Sequence, residues 1–154
     1  MDSLRNNPDT EKLIVVGGGG PPDSLPQFDF ESPGVVNGSA TPPPMDLKVG
    51  TTYRLRLINI NPDWRVIFSL MSDSALVAWR PVAKDGADLP VSQRRMRPAY
   101  LLTGSGETAD FEFTPRHAGE LRLEAKTMLP GWIIPIVVRV SDNRRVATPP
   151  AAQR

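Results

Sequence analysis

The chain has no cysteine and a single histidine, His117. Without cysteine there is no disulfide framework and no thiolate to serve as nucleophile or metal ligand. With one imidazole there is no HxH or HCH motif and no histidine cluster. Charge of either sign is in little excess, since the formal net charge is +1. A balance so close to neutral carries no footprint for nucleic acid or an anionic membrane surface. No apolar run approaches the roughly 18 residues of a membrane span. The start of the chain, MDSLRNNPDTEK, has no apolar core, so no signal peptide is read there. No segment keeps a helical period, and no internal repeat is present.

Punctuation is abundant instead. Seventeen prolines and twelve glycines among 154 residues interrupt the chain at short intervals, which favours short strands and turns over helices. The clearest strand signal lies in Leu47–Ile60, LKVGTTYRLRLINI. It alternates briefly, turns at Gly50 and alternates again, with Tyr53, Leu55 and Leu57 on one face and Arg54 and Arg56 on the other. A period of two marks a half-buried strand. Asn59, Asn61 and Pro62 supply the turn chemistry that ends it.

The remaining segments form a series of short strands. Lys12–Val16 reads as a buried strand that stops at Gly17–Gly20 and Pro21-Pro22. Phe28 and Phe30 are expected to anchor the following loop. Val35–Gly38 reads as a strand entering a tight turn, and Thr41–Pro44 as an extended lead into Met45–Val49. Further strands are expected at Arg65–Met71, at Leu76–Lys84 with an edge or bulge at Pro81, at Tyr100–Thr103, at Ala109–Thr114 with Phe111 and Phe113 inward, at Leu121–Ala125 and at Trp132–Val140. That makes about nine or ten short strands at the spacing of an all-β sandwich or barrel. Residues 1–11 read as a flexible lead or linker, 12–140 as the domain and 141–154 as a polar, Pro-rich tail.

Several constellations invite a functional reading, and each has a structural alternative. The glycines at 17–20 lack the Lys-Ser/Thr pair and following helix of a phosphate loop. Asp85 and Asp88 flank Gly86; an Asp before Gly ordinarily bonds nearby backbone N–H groups. Ser105 and Glu107 sit in a GSGE turn with no histidine placed beside them by any motif. Arg94, Arg95 and Arg97 form either a solvated loop or a contact for an anionic partner. Arg54 and Arg56 are expected to pair with cross-strand acids such as Glu112 or Glu124. His117 reads as a surface side chain on a turn. Trp64, Trp79 and Trp132 are packing residues or, alternatively, a sugar-binding platform.

The segments KLIVVGGGG at 12–20, VVNG at 35–38 and GTTYRLRLINI at 50–60 resemble the second cupredoxin domain of the multicopper oxidase (laccase-like) family. WRPVAKDGADLP at 79–90, TGSGETADFEFTP at 103–115 and AGELRLEA at 118–125 extend the resemblance over roughly residues 12–140. It implies a Greek-key β-sandwich of the plastocyanin type. It also implies a piece of a longer, multi-domain and normally exported polypeptide, hence a periplasmic or extracellular setting. Blue copper needs two histidines and a thiolate, with a weak axial Met. The segment FTPRHAGELRLEA is similar to the one carrying the cysteine ligand in copper-bearing cupredoxins. Ala125 takes the cysteine place, and Glu124 precedes it where a histidine is found. The resemblance is therefore to a copper-free middle domain, with no catalytic, cofactor or metal residue in this chain and copper only in neighbouring domains. Its partners would be those neighbours or a second copy. The chain alone would then not be an enzyme. Two other readings stay open: one part of an active copper oxidoreductase, and a free-standing ligand- or sugar-binding sandwich.

Overall fold

The turn at Gly50 divides the 47–60 stretch between two sheets. In the computed structural model, which describes residues 7–18, 34–128 and 131–142, Met45–Lys48 (β3) belongs to one sheet and Tyr53–Asn59 (β4) to the other. Gly50 has φ +78°, which a side chain would resist, so glycine lets the chain cross between layers in so few residues. The sequence expectation of two alternating halves holds; that they serve opposite sheets was not legible.

The first sheet has the order β2-β1-β4-β11-β7-β8, with β9 also on β7. Its strands are Glu11–Gly18 (β1), Gly34–Val36 (β2), β4, Ala78–Lys84 (β7), Ala87–Asp88 (β8), Arg97–Pro98 (β9) and Thr108–Phe113 (β11). The second sheet has the order β10-β5-β12-β13-β3, with β6 on β5. It contains β3, Val66–Ser72 (β5), Ala75–Leu76 (β6), Tyr100–Thr103 (β10), Gly119–Thr127 (β12) and Ile133–Ser141 (β13). Pairing is parallel between β1 and β4 and between β13 and β3. β11 runs antiparallel to β4, and β12 runs antiparallel to both β5 and β13.

Thirteen strands occur among the described residues, against the nine or ten expected. The surplus is β6, β8 and β9, each two residues long. A two-residue strand has no period to detect. β1 also runs on through Gly17 and Gly18, which pair with Val35 and Gly34 on β2. Its glycines belong to the ladder there, where the sequence suggested a stop. At Asn37 and Gly38 the tight turn is present, with φ +50° and +80°. The expected irregularity at Pro81 is a register shift: Phe111 faces Pro81 while Asp110 faces Ala83, leaving Val82 as the extra residue. Gly19–Pro22, Phe28 and Phe30 lie outside the described residues.

The core lies between the sheets. Leu55, Leu57, Ala109 and Phe111 face it from the first sheet, and Phe68, Leu70, Leu123 and Ile136 from the second. Trp79 is fully buried and stacks on Phe111 with ring centroids 4.1 Å apart. β13 shows the alternation that the sequence predicts, with Ile134, Ile136, Val138 and Val140 inward.

Candidate functional site

Ala125 is the position that the sequence resemblance matches to a copper-ligating cysteine. It lies on β12, wholly buried, and its register partners are Phe68 on β5 and Ile134 on β13. The side chain at the position matched to a cysteine ligand is therefore a methyl group among phenyl and alkyl carbons. Copper requires thiolate, imidazole or thioether donors, and this environment supplies none, so the residues present do not fit the metal. Glu124 points to the opposite face and pairs with Arg122 at 2.9 Å. Among the described residues no three His, Cys, Asp or Glu side chains gather where they could hold an ion.

His117 sits exposed on the turn between β11 and β12. It forms part of the rim of a cleft of about 760 Å³, whose lining also includes Val77, Phe113 and Leu121. One wall carries the ion pair of Arg80 with Glu112. Arg116 and Glu120 add charge of both signs at the same rim. Nothing local in the sequence marks this cleft, because β5, β7, β11 and β12 all contribute to it.

The two arginines of β4 behave differently from each other. Arg54 is 1% exposed although it lies on the outer face of its sheet, and its Nε donates to Asp110 Oδ2 at 2.8 Å. It also approaches Asp88 at 3.9 Å. Arg56 is 28% exposed and meets the same Asp110 oxygen at 3.2 Å and Glu11 at 2.8 Å. Burial alone would lower the Arg56 pKa; hydrogen bonding to Asp110 and the charges of Asp110 and Glu11 outweigh it and hold the pKa above the usual value. The acids include Asp110, Asp88 and Glu11, where Glu112 or Glu124 was expected. Glu112 faces Arg80 in the register of β11 with β7 and pairs there, while Glu124 belongs to the other sheet.

The remaining candidates serve the fold. Asp85 adopts φ +47° before Gly86 and accepts the Thr108 N–H at 2.9 Å, a bond that lowers its pKa. Asp85 and Asp88 do not act as a carboxylate couple, since Asp88 lies beside Arg54. Ser105 Oγ donates to the Pro62 carbonyl at 3.0 Å. Glu107 accepts the Gly104 N–H and pairs with Lys84 at 3.1 Å, and both interactions lower its pKa. Arg94 is half-buried and donates to the Leu89 carbonyl at 2.7 Å, whereas Arg95 and Arg97 are exposed, Arg97 lying 5.3 Å from the Phe111 ring centre. The three tryptophans form no common platform: Trp79 is inside the core, Trp64 is half-buried, and Trp132 covers Gly34 so closely that a Cβ there would lie 2.5 Å from its ring.

No protein-family profile and no curated protein matches the sequence. Solved structures do match the fold. A multicopper oxidase variant from Aquifex aeolicus superimposes with TM-score 0.69 at 15% identity, over 86% of this chain and 32% of that one. For a blue copper oxidase from Nitrosomonas europaea the TM-score is 0.60 at 18% identity, over 88% and 47% respectively. A copper-containing nitrite reductase from Thermus scotoductus gives 0.60 at 12%, over 88% and 31%. The molecule is an all-β, Greek-key sandwich of the cupredoxin class. Multicopper oxidases contain a domain of this fold, as the sequence resemblance implied. The chain spans less than half the length of each of these structures.

Proposed function

We propose that the chain is a spacer domain of a longer multicopper-oxidase-like polypeptide. It has no copper of its own and braces copper-bearing neighbours. The observation that supports this reading is the hydrocarbon surrounding of Ala125, the position that the sequence resemblance matches to the thiolate of copper-bearing cupredoxins. Two further facts support it: the fold likeness, and the fraction of each matched structure that the chain spans. Oxidation of any substrate then belongs to the copper centres of the whole polypeptide, and this domain is not an enzyme by itself. The same reading places the protein outside the cytoplasm, in the periplasm or beyond.

The test is metal analysis after dialysis against Cu(II) and a chelator wash. The expected result is no stoichiometric copper and no thiolate-to-copper absorption band. One ion per chain surviving the wash overturns the copper-free reading.

A second reading, a ligand-binding sandwich, draws on the cleft beside His117. Its volume of about 760 Å³ falls within the size range of small-molecule sites. Saturable quenching of tryptophan fluorescence by oligosaccharides, abolished by Arg80→Ala, would favour it over the spacer reading.

A further inference from the structure

The outer edge of β1 is closed by two different means. β2 pairs with it first, Gly34–Val36 running against Gly18, Gly17 and Val16. The chain then reverses, with Val36 and Ser39 bridged across Asn37 and Gly38. Both turn residues are left-handed, at φ +50° and +80°, the conformation that suits an Asn-Gly pair. Past Val36, Asn37 itself takes over as the partner of β1. Its N–H donates to the Val15 carbonyl at 2.8 Å, its Oδ1 accepts the Val15 N–H at 2.8 Å, and its Nδ2 donates to the Leu13 carbonyl at 2.9 Å. The side-chain amide stands in for the next peptide group of a neighbouring strand, since it too presents an N–H beside a carbonyl oxygen.

We propose that Asn37 is a site of covalent modification, spontaneous deamidation, gated by local opening of this edge. Asn37-Gly38 is the only Asn-Gly pair in the chain, and both residues are exposed. The Gly38 backbone nitrogen, having given its proton to hydroxide, attacks Cγ of Asn37. The bond from Cγ to Nδ2 breaks, and Nδ2 takes up a proton from water and leaves as ammonia. The cyclic imide left behind adds one water at either carbonyl and opens to aspartate or to isoaspartate. Water enters and ammonia leaves, so no oxidant, reductant or cofactor is required. Glycine permits the attack because no Cβ crowds the nitrogen, and nothing lies within 4 Å of where one would stand at Gly38.

The closed edge holds the reaction back. Ring closure needs the Asn37 amide to turn until Cγ meets the Gly38 nitrogen, and that movement breaks its bonds to Leu13 and Val15. Opening of the exposed turn alone is sufficient; the core need not unfold. Neither product restores the clamp. Aspartate keeps an oxygen for the Val15 N–H but sets a second, charged oxygen against the Leu13 carbonyl, where Nδ2 donated. Isoaspartate routes the main chain through Cγ, so the turn between Val36 and Ser39 is one atom longer. Either product leaves the Leu13 carbonyl without its donor and lengthens the open edge of β1.

Peptide mapping of the chain during incubation at mildly alkaline pH tests the proposal, with a synthetic peptide of residues 34–42 as the unclamped reference. The amount of aspartate and isoaspartate at position 37 is followed against time and urea concentration. Conversion is expected to be several-fold slower in the folded chain than in the peptide, and to proceed at urea concentrations well below the unfolding transition. Equal rates in chain and peptide show that the bonds to β1 impose no gate and overturn the proposal. Conversion absent until the global transition overturns it too, since the edge then does not open locally. The effect of the product is read separately with Asn37→Asp. The Val15 and Val36 amides should exchange hydrogen several-fold faster than in the parent while the circular dichroism is unchanged; exchange as slow as the parent's refutes the loss of the clamp.

Discussion

Removing the carboxylate of Asp110 should destabilise the domain far more than removing the arginine that looks most prominent on its surface. Asp110 stands between Arg54 and Arg56, with side chains 8%, 1% and 28% exposed respectively. Asp110→Asn keeps an oxygen that can accept from the buried Arg54 Nε but removes the charge that faces it at 2.8 Å. Removing one side of a buried ion pair costs about 3–5 kcal/mol, because the surviving charge loses most of the compensation for its desolvation. Repulsion contributes to that figure: two cations two residues apart on one strand sit roughly 7 Å apart and repel by about 2 kcal/mol at an effective dielectric near 20. The loss is a large share of the ~5–15 kcal/mol that holds a domain together. It corresponds to a fall in melting temperature of roughly 6–20 °C for a chain of this size. Arg56→Ser, at a partly solvated position, should cost about 1 kcal/mol. Replacing the buried pair together, Arg54→Met with Asp110→Leu, should cost less than Asp110→Asn alone, since no buried charge is stranded. Urea unfolding followed by tryptophan fluorescence gives all three values. Asp110→Asn within about 0.5 kcal/mol of the parent, the scatter of ordinary surface changes, would refute the reasoning.

Leu57→Asp puts an unpaired carboxylate on the fully buried face of β4 and should abolish the cooperative melt seen by circular dichroism, at a cost of several kcal/mol; a melt like the parent's would mean that the face assignment is wrong. Gly34→Ala brings a Cβ to 2.5 Å from the Trp132 ring, so it should lower the melting temperature and shift tryptophan emission to the red; unchanged emission would show that the ring is not held there. Glu107 and Asp85 both have folded pKa values below their usual 4.5 and 3.8. In acid the unfolded chain therefore takes up protons first, and the stability these groups supply is complete above about pH 4.5 and is lost as pH falls through the lowered folded values. Glu107→Gln should flatten the acid limb of stability against pH, and superimposable limbs would count against the bond to the Gly104 N–H.

Strands such as β11, β12 and β13 were legible because each has one face in the core, which writes a period of two into the sequence. Alternation assigns a residue to a face but does not say what lies over that face. Arg54 and Arg56 have the same phase on β4, yet one is sealed and the other half in solvent. The pairing error has the same origin. Choosing between Glu112 and Asp110 as the partner of Arg54 requires the order β4-β11-β7, which puts Arg80 beside Glu112 and draws that carboxylate away. The glycines of β1 were misread for a related reason, since a ladder needs backbone groups and a partner, and β2 supplies the partner across 15 or more residues of intervening chain. At Ala125 the sequence was informative by subtraction, because a chain with zero cysteines offers no thiolate at any position.

The distribution of apolar residues in β13 carries the same lesson further. Its inward residues, Ile134, Ile136, Val138 and Val140, are explained by the core. Its outward residues include Ile133, Pro135 and Val137, where a solvated strand would carry Lys, Thr or Glu. The outward row ends in Arg139 and Ser141, so the apolar run on that face is confined to the first half of the strand. The first sheet shows the contrast: its outward positions on β4 and β11 are Arg54, Arg56, Asp110 and Glu112. Both sheets cover the same core and obey the same inward rule. The inward rule therefore leaves the outward positions free to differ: β4 and β11 carry paired charges there, and β13 carries carbon.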